Sequence, residues 1–193
     1  MAKFYIKTTI YTILCIALIS ILSFLTLSLF FPKTLSNVLF NVESKDLCVK
    51  YSEKQYNNTK NIQDLDTLLY RCVWANNTKK SKQYANELLN HKDFESFSQK
   101  KGDGYINYVA GIYCNALYSS GEKEISVNTA IQYVDKDFKI PNPISSIAYL
   151  AYKDGDTLTL QLILEKLDNV EESQNVINAK TEIKNKINEI NNS

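Results

Sequence analysis

Five glycines and three prolines in 193 residues leave few points at which a chain could turn between strands. Sandwiches and barrels need a turn signal roughly every 8 to 12 residues, so this scarcity excludes an all-β design and favours helices with short connections. Histidine is scarcer still. His91 stands alone, which removes imidazole pairs as metal ligands, and it reads as an exposed side chain at a helix end. An excess of positive charge is missing as well. The formal net charge is +1, which gives no electrostatic reason to hold nucleic acid. No G-x-S-x-G, G-x-x-x-x-G-K-[ST] or H-E-x-x-H motif occurs, so neither an enzyme nor a bound cofactor is expected. Asp154-x-Asp156 reads as a turn, because Leu158, Leu160 and Leu162 stand where a calcium loop needs oxygen ligands.

Charge of either sign is absent from Thr8 to Phe31, a run of 24 residues. As a helix rising about 1.5 Å per residue, it spans roughly 36 Å, against about 30 Å of bilayer hydrocarbon. A soluble core helix of that length would carry a polar stripe. An export signal has a shorter apolar core of roughly 7 to 15 residues and a small-residue cleavage site, whereas this run leaves through Phe30-Phe31-Pro32-Lys33-Thr34. The expected organisation is a short basic N-terminus over residues 1–7, a transmembrane helix over 8–31, a linker over 32–42 and a helical domain over 43–193. The alternative is a soluble exported factor, released by cleavage near Ser36. Lys3, Lys7 and the amino terminus precede the run and Lys33 and Lys45 follow it, a small bias that favours an extracytoplasmic domain.

Beyond the run, apolar residues recur at spacings of three and four. Residues 43–56 form a plausible first helix. Leu65, Leu68, Leu69 and Cys72 share one helical face, with Asn61 and Asp64 at its start in near capping-box spacing. Asn76-Asn77-Thr78 separates that helix from one carrying Ala85 and Leu88. Gly104 and Gly121 bracket another, followed by a helix over 122–138 that Pro141-Asn142-Pro143 stops. Asn142 and Pro143 then suit the cap and first residue of the next helix, which ends at Asp154-Gly155. Asp156-Thr157 opens another, and Val176, Ile183 and Ile190 mark the last. Cys15 lies in the apolar run. Cys48, Cys72 and Cys114 leave two readings open, buried free thiols or one disulfide.

Residues 142–170 resemble a tetratricopeptide repeat, a helical hairpin of about 34 residues. Ile144, Ile147, Ala148 and Ala151 match its first helix, Gly155-Asp156 its turn, and Leu160, Leu164 and Leu167 its second helix. The same frame fits Leu65, Leu68 and Cys72 with Ser81, Ala85 and Leu88. A stretched copy fits Ala110, Gly111 and Cys114 with Ala130 and Val134. The family's first-helix Trp is absent, and its closing Pro is absent or displaced. The resemblance implies an all-α fold, a transmembrane helix followed by a tetratricopeptide-like array of hairpins; a non-repeat helical bundle is the other architecture these periods allow. It also implies a protein partner, an extended peptide on a face lined by first helices. That face would receive Tyr70, Val73 and Trp74, then Tyr105, Tyr108 and Asn115, then Tyr149, Tyr152 and Lys153. Whether those rings form a groove or fill space between helices stays open at the level of sequence. The expected role is a membrane-anchored interaction or scaffold module of the cell envelope, in contact with lipid through residues 8–31.

Overall fold

The computed structural model describes residues 2–134 and 142–192, with side chains from Ile6 onward. Among these residues there are eleven α-helices and no strand. The last part of the helix expected over 122–138, with Pro141, lies outside the described residues. The chain divides into two compact units, 1–71 and 72–193.

The N-terminal unit opens with α1 (Ala2–Phe30), in which an 18-residue stretch of Ile6–Phe30 has a mean hydropathy of 2.6. It is the one helix, among the described residues, that is long and apolar enough to cross a membrane. Thr12, Ser20 and Thr26 donate their hydroxyls to carbonyls one turn back (2.9 Å each), so the helix absorbs its own polar groups. α2 (Pro32–Asn41), α3 (Lys45–Thr59) and most of α4 (Ile62–Trp74) follow. Pro32 stops α1 because it has no N–H to continue the ladder, and it restarts the chain as the first residue of α2.

The stretch expected as a linker is therefore largely helical. Leu35, Ser36 and Leu39 are buried against α3. The contact is close because small residues meet there. Ser36 Oγ lies 2.6 Å from Ser52 Oγ, and the Cys48 thiol donates to the Ser36 carbonyl at 3.4 Å. α4 starts as its sequence suggests: the Asn61 side chain accepts from the Asp64 amide at 2.8 Å. Asp64 itself is buried and opposed by desolvation. Hydrogen bonds from Gln55 and Thr59, with Lys33 at 3.6 Å, hold its pKa below the usual carboxylate value.

The C-terminal unit comprises α5 (Thr78–Leu89), α6 (Phe94–Lys101), α7 (Tyr105–Ser119), α8 (Lys123–Ile131), α9 (Pro143–Lys153), α10 (Thr157–Leu167) and α11 (Gln174–Asn191). α7 packs on α8 and α9, α8 on α10, and α9 on α10, so two hairpins stack with like helices adjacent. α5 packs on the free side of α7, and α11 closes the other end against α9 and α10. The shared core is Cys114, Val127, Ala130, Ile144, Ile147, Ala151, Leu160, Ile163, Leu167 and Ile183. Each fully buried Ile or Leu contributes on the order of 1.5–3 kcal/mol. Asn77, Asn142, Asp156 and Ser173 each accept an amide hydrogen bond at a helix start. Gly155 ends α9 with φ at 67°, where a Cβ would be strained.

Asp156 does more than cap α10. Its carboxylate receives Thr159 N (3.1 Å), Thr159 Oγ1 (2.7 Å), Tyr118 OH (3.2 Å) and Lys123 Nζ (2.7 Å), which joins α7, α8 and α10 at one corner. Burial opposes its charge, but the Lys123 and Thr159 hydrogen bonds prevail and lower its pKa to about 2. Asp154 and Asp156 thus belong to a turn and a cap.

Two further expectations meet the structure here. All four cysteines are free thiols, with Cys48, Cys72 and Cys114 fully buried. His91 is not the exposed side chain that its polar neighbours suggest. Its imidazole is mostly covered, and Nδ1 accepts from the Asp93 amide at 3.2 Å.

Candidate functional site

Five of the six aromatic residues expected on a partner face lie in the C-terminal unit, and the sixth, Tyr70, belongs to the N-terminal one. Tyr70 is half exposed on α4, its ring 6.1 Å from Phe40. The neighbouring Arg71 guanidinium lies 3.4 Å over Phe40, an arrangement that stiffens this surface.

Tyr105 and Tyr108 stand at the start of α7. α6, which sequence periodicity did not reveal, supplies the wall behind them. Phe94 and Phe97 are buried, and Tyr105 meets Phe97 edge-on at 5.8 Å. Tyr108 lies 6.3 Å further out and is 41% exposed. Lys101 extends over Phe97 and Tyr105, at 5.1 and 5.6 Å from the ring centres. Tyr105 is thus half-buried packing and Tyr108 is the accessible ring.

One to two turns along α7, residues 112, 115, 116 and 119 form a stripe at helical spacing. Ile112, Asn115, Ala116 and Ser119 face Val73, Asn76, Thr78 and Ser81 across a cleft of about 210 Å3. Val73 and Asn115, both expected on the partner face, meet here. Asn115 Nδ2 donates to Ser146 Oγ on α9 at 2.7 Å, while its Oδ1 is buried without a hydrogen bond. Ile112, Ser119, Thr78 and Ser81 were missed by sequence reasoning. The stripe through Asn115 would have found the first two; the others needed the packing of α5 on α7.

On α9, Tyr149 follows Ser146 by one turn and is 61% exposed. Tyr152 is engaged elsewhere. It donates to Glu189 Oε2 of α11 at 2.7 Å, and that carboxylate raises its pKa. Lys186 lies 5.5 Å over its ring. Trp74 is half-buried, as is Tyr152, and Lys153 is exposed at the end of α9. Of the residues expected on a partner face, Val73, Tyr108, Asn115 and Tyr149 reach solvent or the cleft, whereas Tyr105 and Tyr152 mainly support neighbouring helices.

This surface offers hydroxyls, carboxamides and rings. Among the described residues no three His, Cys, Asp or Glu side chains converge closely enough to hold a metal ion. No protein-family model matches the chain, and neither does any curated protein or solved structure.

Proposed function

We propose that this protein is a membrane-anchored interaction module: α1 remains in the bilayer, and the tetratricopeptide-like helical stack presents a binding face to a protein partner of the cell envelope. The observation that carries this reading is the state of α1. The side chains of residues 6–23 are all exposed, leaving an apolar rod that water would not tolerate and lipid would accommodate. Its C-terminal end is built into the folded N-terminal unit. Cleavage near Ser36 would part Leu35 from Leu39, both buried, which favours the anchored form over a released soluble factor.

The partner is an extended peptide segment, received along α7 and α9. Tyr108 and Tyr149 supply exposed rings and Asn115 lines the cleft, the mixture of contact area and polar direction that recognition needs. Tethering raises the effective concentration for partners in the same membrane. The domain is placed on the extracytoplasmic side by a small bias, Lys3, Lys7 and the amino terminus before the span against Lys33 and Lys45 after it. Carbonate-washed membranes should retain the full-length chain with its N-terminus intact. Crosslinking from native membranes should capture a partner that Tyr108→Ala with Tyr149→Ala loses. A chain recovered from the soluble fraction without residues 1–35 would overturn the reading.

A further inference from the structure

Building on the anchored reading, we infer that the hydrocarbon boundary on the domain side crosses α1 between Phe24 and Ser28, where α3 lies in the lipid headgroup layer and Tyr51 and Lys54 hold the emerging helix. The apolar helix is longer than its task. Lys7 belongs at the far interface, and from Thr8 to Phe30 the helix has 23 residues, about 34 Å against about 30 Å of hydrocarbon. Tilt alone would have to reach about 30° to absorb the surplus, above the usual roughly 20° of membrane helices. The alternative is that about three residues leave the hydrocarbon at one end.

The contacts identify that end. On the side toward α3, exposure falls to 40% at Phe24 and Leu27 and Ser28 are half-buried, while Leu25, Leu29 and Phe30 stay open at 49%, 61% and 72%. The Phe24 ring stands edge-on to Tyr51 at 6.1 Å, and the Ser28 hydroxyl donates to the Tyr51 hydroxyl at 3.0 Å. Lys54 Nζ donates to the Ser28 carbonyl at 2.7 Å. That carbonyl is the acceptor which residue 32 would normally satisfy, and residue 32 is a proline without an N–H. The Lys54 ammonium therefore completes the open helix end, where the helix dipole also favours a cation. A backbone carbonyl without a partner is costly in lipid, and so is a lysine in mid-hydrocarbon. Both costs vanish if Ser28 lies at headgroup depth, where tyrosine and lysine are at home. Lys50, one turn before Lys54 on α3 and 6.0 Å from the Tyr51 ring, is exposed and faces the same layer with a free reach to lipid phosphates.

The test uses the full chain carrying Cys15→Ser, reconstituted in phosphatidylcholine–phosphatidylglycerol vesicles, with nitroxide labels at Leu22→Cys, Thr26→Cys or Phe30→Cys. Relaxation by dissolved oxygen should dominate at position 22 and relaxation by an aqueous nickel chelate at position 30, with the crossover at 26. Lys54→Met should displace that crossover, and Lys54→Arg should restore it while both variants keep the parent's helical content. Position 30 as shielded from the chelate as position 22, in chains that float with the vesicles, overturns the boundary and leaves the anchor standing. An unchanged profile in Lys54→Met overturns the role of Lys54. Chains that do not float with vesicles overturn the anchor, and this inference with it.

Discussion

Substituting Asp156 with Asn isolates a single charge at the corner where α7, α8 and α10 meet. Asn caps helices about as well as Asp, so the hydrogen bond to Thr159 N survives and the geometry changes little. What disappears is the carboxylate that Lys123 and Tyr118 address. In the fold this group, with a side chain only 10% exposed, titrates at about 2 instead of 3.8. That separation corresponds to roughly 2 kcal/mol of stability at neutral pH. The sign follows from the direction of the shift. A lowered folded-state pKa stabilises above the unfolded value, so the contribution is complete above about pH 5 and is lost as pH falls through about 2. Urea denaturation of the detergent-solubilised chain should place Asp156→Asn roughly 2 kcal/mol below the parent at pH 7, and the gap should close toward pH 2. A gap under about 0.5 kcal/mol at pH 7, or one that persists undiminished in acid, would refute the assignment of this corner's stability to the charge.

Leu39→Ala in α2 should cost about 2–4 kcal/mol, read as a lowered denaturation midpoint, because one face of α2, with Leu35, Ser36 and Leu39, is buried. Cys48, Cys72 and Cys114 should resist alkylation in the folded protein and react once it is unfolded; burial raises the Cys114 thiol to about 12. Tyr108→Ala and Tyr149→Ala should each move stability by less than about 0.5 kcal/mol, as exposed positions do, while crosslinked partner recovery falls. Tyr152→Ala should instead loosen α11 through loss of the Glu189 hydrogen bond, seen as faster amide exchange in that helix.

Helices announced by punctuation were legible in the chain. Asn77, Asn142-Pro143 and Asp156 stand where the caps are, because a side-chain oxygen beside free amides is a local effect that needs no tertiary partner. α2 and α6 were not legible. α2 begins with a proline, and its Ser36 looks polar until Ser52 and Cys48 are placed against it. α6 has eight residues, of which only Phe94 and Phe97 mark a buried face, too short a run for periodicity to register. The tyrosines expected on a partner face divide in the same way. Tyr149 and Tyr152 sit three residues apart on α9, one open and one engaged with α11; no spacing rule separates them, because Glu189 lies 37 residues further along.

The sequence by itself determined the helical class and the apolar N-terminal rod, since periodicity, capping and the absence of charge act over a few turns of chain. Only the tertiary structure decided that the rod's last turns are held by Tyr51 and Lys54, that α2 buries Leu35, Ser36 and Leu39, and which tyrosines remain open. Those outcomes depend on groups tens of residues apart meeting at hydrogen-bond or ring-contact distance. Close packing brings them together, and local pattern does not encode it.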